Sequence, residues 1–425
     1  MQIEFHFDFS CPYAYLGSTQ IEAVAERTGA ELIWRPMLLG GVFRAVDTPQ
    51  NMSEGMPAAK ARHNALDMMR WADHWNVKLE LPSKHPMRTV RALRALLAID
   101  EAKWPPVIHA LYRAYWHRGD DFAARETVAA ALSEGGIAGD EAERALAAND
   151  NQGIKDELRR RTDRAIHRGV FGAPAMFVGD DASSDDAVMF WGQDRLHMVE
   201  AAANGWQPGV TEPPTREPEQ VAETPRKVEF WYDFSSPFSY LGSTQIERVA
   251  REAGAELIWR PMLLGALFKT IGTANVPLLN MSAAKRRYYA RDLENWAAYW
   301  KAPFKFTTRF PMKTVTALRL ALQAGDRIAD MTHALYRALW VDDRDISDEA
   351  TLRDILSANN FDAEALLTGT RDPNIKQRLF DATSEAESRQ VFGAPTSVVN
   401  DMAFWGQDRL DFVAAALRGW TPKKG

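Results

Sequence analysis

Residues 2–7 and 227–232 alternate apolar and polar side chains and then meet an aspartate, a pattern typical of a β-strand that leads into a turn. After each stretch, apolar residues recur at intervals of three and four, as on the buried face of an α-helix. A second short apolar run follows and ends at Pro36 in one case and at Pro261 in the other. Strand, helix and strand in this order predict a right-handed crossover between parallel strands.

The pattern then changes in the same way in both halves of the chain. Residues 45–168 and 270–390 show amphipathic helical patterns without a convincing strand. Short apolar strands follow Pro174 and Pro395, and each half closes with one more strand and a helix. The sequence therefore predicts, in each half, a sheet of about four strands with an all-helical insertion between the second and third strands.

The two halves are copies of each other. DFSCPYAYLGSTQIE (8–22) returns as DFSSPFSYLGSTQIE (233–247), with 12 of 15 positions identical, and AELIWRPMLLG (30–40) returns unchanged at 255–265. Between the copies lies a stretch rich in Pro, Glu and Thr, which is typical of an extended linker. The predicted organisation is copy one over 1–207, a linker over 208–226 and copy two over 227–425.

Composition narrows the class of protein. The net charge of -6 provides no basic surface for nucleic acid, and charges interrupt every apolar stretch before it is long enough to span a membrane. A single cysteine forms no intrachain disulfide and suits a reducing compartment. The first residues also lack the features of a signal peptide. We expect a cytoplasmic protein that binds neither nucleic acid nor membrane, and no metal site.

These motifs, in this order and found twice, resemble a known family. The D-F-S-[CS]-P start, the F-G-A-P loop and the F-W-G-Q-D-R-L end look like 2-hydroxychromene-2-carboxylate isomerases and kappa-class glutathione transferases. The resemblance implies an α/β fold with two thioredoxin-like domains of DsbA type in tandem, each carrying a helical insertion. It also implies glutathione as the cofactor, and a pair of copies packed as an intrachain pseudo-dimer.

Cys11 and Ser236 occupy the position at which the family hydrogen-bonds the glutathione sulfur. A helix N-terminus favours a thiolate, but a serine there is also a common helix cap. Because copy one reads CPYA and copy two SPFS, neither has the second cysteine of a redox CxxC motif. For Cys11 the helix predicts a lowered pKa and a reactive thiol; the alternative is a buried, inert cysteine. We expect copy two to carry most of the glutathione-dependent turnover.

The resemblance assigns further residues to glutathione. Pro174 and Pro395 match a cis-proline that presents the backbone of Ala173 and Ala394 to the cysteinyl part; the alternative is a proline that starts an edge strand. The γ-glutamyl end is assigned to Gln193, Asp194, Gln407 and Asp408. A carboxylate of glutathione or substrate is assigned to Lys60 and Lys285, and Asn51 and Asn275 match an asparagine that faces glutathione.

Each assignment of this second group has an alternative. Asp194 and Asp408 are equally typical of a helix N-cap, with the arginine that follows each of them in solvent. For the lysines and asparagines, a surface position is the alternative.

The leading functional hypothesis is a glutathione-dependent isomerase or transferase that acts on a small aromatic or conjugated oxo acid, as in aromatic catabolism. A monothiol redox protein that works through Cys11 is the second hypothesis. A non-catalytic binding scaffold is the third.

Overall fold

The computed structural model describes residues 1–50, 55–212 and 226–422. Most of the predicted linker and the candidate Asn51 lie outside the described residues. Copy one contains β1 (Gln2–Phe7), α1 (Pro12–Thr28), β2 (Glu31–Pro36), α2 (Leu39–Ala45), α3 (Ala58–His74), α4 (Val90–Leu97), α5 (Trp104–Trp116), α6 (Arg125–Glu134), α7 (Gly139–Ala147), α8 (Gln152–His167), β3 (Ala175–Gly179), β4 (Val188–Trp191) and α9 (Leu196–Ala203).

Copy two repeats this order of elements. It contains β5 (Lys227–Tyr232), α10 (Pro237–Glu252), β6 (Glu256–Pro261), α11 (Leu264–Thr270), α12 (Ala283–Tyr299), α13 (Val315–Gln323), α14 (Ile328–Trp340), α15 (Glu349–Ala358), α16 (Ala363–Gly369), α17 (Pro373–Ser388), β7 (Thr396–Val399), β8 (Met402–Trp405) and α18 (Leu410–Leu417).

Each copy forms a four-stranded mixed sheet. The strand orders are β2-β1-β3-β4 and β6-β5-β7-β8. The first two strands of each sheet are parallel, whereas the third and fourth are antiparallel to their neighbours. The described part of the insertion between the second and third strands is helical in both copies. The predicted sheets and insertions are confirmed.

Aromatic side chains pack between the first two strands of each sheet. Phe5 and Phe7 of β1 are fully buried, and their rings pack edge-on against Trp34 of β2 at 5.3 and 5.6 Å. Copy two repeats the contact with Trp259 of β6. Burying such large apolar surfaces is the main stabilising contribution in each copy. This packing fixes the carboxyl ends of β1 and β5. In each copy, the turn from the first strand to the first helix begins there.

The two copies pack against each other through their insertions and their last strands. The Tyr288 hydroxyl of α12 accepts a hydrogen bond from the N–H of Trp191 of β4 at 2.9 Å. His63 Nε2 of α3 accepts one from the N–H of Trp405 of β8 at 3.1 Å. Trp71 of α3 lies 4.7 Å, centroid to centroid, from the Phe412 ring. Each copy thus extends its insertion onto the sheet end of the other.

Candidate functional site

The turn between the first strand and the first helix holds Cys11 in copy one and Ser236 in copy two. Both are N-cap residues followed by a proline, and their backbone angles are nearly the same, φ/ψ -97/116° and -98/114°. Ser236 Oγ accepts a hydrogen bond from the Ser239 N–H at 3.1 Å and donates one to the Ala394 carbonyl at 2.9 Å. The serine therefore caps its helix and also reaches the strand opposite.

Cys11 makes only the second of these contacts. Its Sγ donates to the Ala173 carbonyl at 3.1 Å, and its side chain does not cap α1. Burial raises the pKa of the thiol to about 12, and this outweighs the lowering by the N–H groups of Ala14 and Tyr13. The expected reactive, low-pKa thiol is wrong for this structure, because loss of water around the sulfur exceeds the effect of the helix end. The alternative of a buried cysteine describes what is seen.

Both prolines opposite the turn are cis, as predicted. The Ala173–Pro174 and Ala394–Pro395 bonds are cis, and β3 and β7 begin directly after them. Among the described residues, the N–H groups of Ala173 and Ala394 donate no hydrogen bond to a protein atom. A backbone donor at this place needs a partner, so the strand edge is suited to the backbone of a bound peptide-like ligand.

A buried aspartate, which the sequence reasoning did not assign, fixes the turn in each copy. Asp8 Oδ1 accepts from the Ser10 N–H at 3.0 Å, and Oδ2 accepts from the Leu39 N–H at 2.7 Å. Asp233 does the same in copy two with Ser235 and Leu264. Burial raises the pKa of both carboxyls. The signal available in the sequence was the identical Asp at the end of both first strands.

Gln193-Asp194 and Gln407-Asp408 lie in short 3-10 turns directly before α9 and α18. The residue at the N-cap is a glycine with φ of 100° or 105°, and a Cβ on it would collide with the aspartate carboxylate that folds back over it. The aspartates therefore are not N-caps. Gln193 and Gln407 are buried at 3% exposure.

The arginines that follow the two aspartates are not in solvent, so that interpretation is wrong. Arg195 and Arg409 are buried between the copies, where each contacts carboxylates of both copies. We call the six residues that meet here the charge cluster: Asp67, Asp194, Arg195, Asp292, Asp408 and Arg409.

Each arginine of the charge cluster forms a two-pronged ion pair with the other copy. Arg195 Nε and Nη2 donate to Asp292 at 3.0 and 2.9 Å, and Nη2 also donates to Asp408 at 3.0 Å. Such paired geometry is the strongest that a guanidinium and a carboxylate form.

The second arginine mirrors the first. Arg409 donates to Asp67 at 2.8 and 2.9 Å and to Asp194 at 2.7 Å. The sequence reasoning missed Asp67 and Asp292, although an aspartate recurs at matching positions of both insertions.

Asp194 and Asp408 interact with both arginines of the charge cluster and with each other. Burial and the carboxylates of Asp194 and Asp292 raise the pKa of Asp408 despite both arginines. Burial also acts on Asp194, but Arg195 and Arg409 outweigh it and lower its pKa.

Lys60 and Lys285 are not exposed surface residues. The Lys60 ammonium lies 5.4 Å from the centroid of Trp405 of the other copy, and the Lys285 ammonium lies 5.4 Å from Trp191 of the other copy and 5.7 Å from Tyr289. Burial lowers the pKa of Lys60, and burial together with the charge of Lys60 lowers that of Lys285 to about 8. Neither lysine forms a salt bridge with a carboxylate of the described residues.

The asparagine assignments are less regular than the sequence suggested. Asn275 is exposed, and its Oδ1 lies 3.0 Å from where a Cβ of Gly265 would stand. In copy one the matching Gly40 is approached by Gln50, whose Nε2 donates to the Gly40 carbonyl at 3.1 Å. Gln50 is therefore the counterpart of Asn275 in the structure. Asn51 lies outside the described residues.

Comparison with known proteins identifies the domain type. The DSBA-like thioredoxin domain family matches residues 2–204 and again residues 227–418. The chain is 31% identical over 192 residues to a 2-hydroxychromene-2-carboxylate isomerase of Sphingobium xenophagum, covering 45% of this chain and 98% of that protein. The corresponding enzyme of Pseudomonas putida is 28% identical over 204 residues, which cover 48% of this chain and 94% of the other.

A transferase is among the relatives as well. Glutathione S-transferase kappa 2 of Caenorhabditis elegans is 24% identical over 208 residues, which cover 46% of this chain and 89% of that protein. Each of these relatives has about the length of one copy. Among the described residues, no helix is both long and apolar enough to cross a bilayer. With its two matched segments, the chain belongs to the DsbA-like thioredoxin domain family and carries that domain twice.

Proposed function

We propose that the chain is a glutathione-dependent isomerase of the 2-hydroxychromene-2-carboxylate type, with one glutathione site in each copy. The observation that carries the proposal is the Ser236 hydroxyl, which caps α10 and lies 2.9 Å from the carbonyl that precedes the cis-proline Pro395. The 31% identity to an isomerase over nearly that protein's whole length supports the reaction type.

Three features of the protein fit the chemistry of glutathione. The free N–H groups of Ala173 and Ala394 suit the backbone of its cysteinyl residue. The charge cluster holds more carboxylates than guanidiniums, which suits the ammonium of the γ-glutamyl end. Lys60 and Lys285 lack a carboxylate partner among the described residues, which suits a carboxylate of glutathione or of substrate.

The roles of the residues follow from this placement. In copy two, Ser236 donates its hydroxyl hydrogen to the ligand sulfur in place of the Ala394 carbonyl, and the N-terminus of α10 stabilises the negative charge on that sulfur. Gln407 and Asp408 orient the γ-glutamyl end, and Lys285 and Asn275 face the carboxylate side. Cys11, Gln193, Asp194 and Lys60 hold the corresponding positions of copy one, and Gln50 holds the position that matches Asn275. Asn51 stays a candidate from the sequence.

Glutathione held by these residues would supply a thiolate nucleophile for reversible addition to the conjugated bond of an oxo acid, and elimination after bond rotation would return the thiol. The protein activates the sulfur, holds the substrate carboxylate and limits access of water. Trp191 and Trp405, the last residues of β4 and β8, each lie beside the lysine of the other copy. We expect an aromatic oxo acid to be held by this pairing of ring and cation.

The test is conversion of 2-hydroxychromene-2-carboxylate followed by absorbance, with and without glutathione. We expect turnover that requires glutathione, together with calorimetric binding of glutathione. Conversion at the same rate without glutathione contradicts the proposal. No binding of glutathione at all favours the non-catalytic scaffold.

The kappa-class relative favours a transferase as the second candidate. It differs in outcome, because conjugation of an electrophilic aromatic consumes glutathione whereas isomerisation returns it. Assay of free thiol during turnover separates the two. A monothiol redox role has less support, because Cys11 is buried and burial raises its pKa to about 12. Full activity of Cys11→Ser in every assay excludes that role.

We also propose that copy one (1–207) and copy two (227–425) work as an intrachain pseudo-dimer joined by the linker 208–226. The crossed ion pairs of Arg195 and Arg409 support this arrangement. A role in aromatic catabolism in the cytoplasm follows from the proposed substrate and from the single cysteine, which suits a compartment rich in reduced glutathione.

A further inference from the structure

The charge cluster is one electrostatic unit shared by both copies. When all six groups are ionised, four carboxylates face two guanidiniums, so the cluster itself carries a net charge of minus two. The buried Arg70 of α3 also interacts with the charge of Asp67. Within the described part of the chain, every salt bridge of Asp194 and Asp408 leads to Arg195 or Arg409. The cluster is largely buried, so salt and water screen it little.

The four carboxylates fall into two classes. Asp67 and Asp292 are nearly sealed, with 4% and 1% of their side chains exposed, and each is held by both prongs of one arginine. Asp194 and Asp408 keep 12% and 18% exposure, and each shares its arginines with the other copy. The inner pair thus fixes the arginines, whereas the outer pair stays accessible to a ligand.

We propose that the charge cluster couples the two glutathione sites, so that binding of a ligand ammonium at Asp194 weakens binding at Asp408, and the reverse. The inference rests on the proposed function, because it takes the ammonium of glutathione as the ligand of the outer aspartates.

The sign follows from the shared arginines. An ammonium at Asp194 competes with Arg409 Nη1, which lies 2.7 Å from Asp194 and 3.2 Å from Asp408. Once released from Asp194, the guanidinium pairs more closely with Asp408 and neutralises it. The ammonium also adds a positive charge to the same buried unit. Both effects make the second ammonium bind less tightly, by about tenfold for coupling of typical size.

Calorimetric titration of Asp194→Asn and Asp408→Asn with glutathione tests the coupling. Each variant keeps one ammonium site, and its neutral amide mimics an occupied aspartate at the other. For independent sites, the product of the two variants' association constants equals the overall constant of the wild-type chain. We expect a product about tenfold smaller. A product equal to or larger than the wild-type constant overturns the coupling and leaves the proposed function intact.

A measurement on the wild-type chain does not depend on the folding of either variant. N-acetylglutathione carries a neutral amide in place of the ammonium. The ratio of the two stepwise association constants should be about tenfold greater for glutathione than for N-acetylglutathione. Equal ratios overturn the coupling, and failure of glutathione to bind either copy overturns both the coupling and the proposed function.

Discussion

The turns around Cys11 and Ser236 have the same backbone and a different chemistry. The backbone angles agree within a few degrees, and both side chains reach the carbonyl before a cis-proline. Yet the serine hydroxyl also caps its helix, whereas the thiol does not, and burial keeps that thiol protonated. A thiol is the weaker hydrogen-bond donor as well. Both copies keep the same turn, but the atom at its centre is sulfur in copy one and oxygen in copy two.

The ion pairs between the copies show no such divergence, although Tyr288 and His63 make the corresponding backbone contacts with different side chains. Arg195 and Arg409 each hold a sealed aspartate of the other copy. The ion pairs that hold the copies together are therefore the same in both copies, whereas the residue proposed to contact the glutathione sulfur differs between them. This contrast suggests changes that should affect the copies equally and changes that should affect them unequally.

The largest expected effect is on stability and is equal in the two copies. Arg195→Met leaves Asp292 as a buried, unpaired carboxylate, and Arg409→Met does the same to Asp67. Each should lower the free energy of unfolding by about 3–5 kcal/mol, measured by chemical denaturation. Arg27→Met, which removes an exposed pair with Glu200, is the matched control and should cost less than about 1 kcal/mol. A loss as small as the control's at either interface arginine contradicts the comparison.

The second effect concerns the thiol alone. Because the pKa of Cys11 is raised to about 12, very little of the thiol is ionised at pH 8. Alkylation by iodoacetamide should therefore be more than about a hundredfold slower than that of free glutathione. Mass spectrometry of the native chain over time measures the rate. The unfolded chain in urea provides the control and should react like a free thiol. Rapid alkylation of the native chain would restore the reactive-thiol interpretation.

The third effect distinguishes the sites in turnover. Ser236→Ala should reduce glutathione-dependent turnover by about ten- to a hundredfold, since a positioned donor to the sulfur is lost. Cys11→Ala should leave most of it. Cys11→Ser is the matched variant in the other direction and should raise the turnover of copy one, because a hydroxyl is a better hydrogen-bond donor than a thiol. If Cys11→Ala abolishes turnover and Ser236→Ala does not, copy one is the working site.

The smallest effect is on pH dependence. The pKa of Lys285 is lowered to about 8, so its ammonium is charged below this pH and neutral above it. A carboxylate held by Lys285 should therefore bind less tightly as pH rises through 8, by about fivefold between pH 7 and 9. S-methylglutathione is the probe, since its sulfur does not titrate. Lys285→Met should bind weakly at both pH values; a pH dependence that persists in this variant assigns it to another group.

Some of these features could be read from local patterns. Alternation predicts the strands at 2–7 and 227–232, although the polar Glu4 and His6 of β1 are buried as well. The cis-prolines are implied by the resemblance of a twice-found motif to the known family. Repetition within the chain acted as an internal alignment. It also shows an aspartate at the end of both first strands, Asp8 and Asp233, but only the structure shows that they hold the turns.

Other features depended on neighbours that are distant in sequence. The lowered pKa expected for Cys11 rests on the N-terminus of its own helix alone. The burial that raises the pKa comes from the elements packed around the thiol. Arg195 and Arg409 look like helix-end residues in solvent until the other copy places Asp292 and Asp67 against them. The pairing of Asn51 with Asn275 is wrong as well, because Gln50 occupies the place that matches Asn275.

The sequence by itself determined the duplication, the order of strands and helices, and the positions of the turn residues and prolines. These depend on hydrophobic period and on local motifs, which are properties of neighbouring residues in the chain. The tertiary structure decided the charge state of Cys11, the burial of the arginines and the joining of the two sites through the charge cluster. These depend on desolvation and on Coulomb interactions between groups hundreds of residues apart, and only packing brings such groups together.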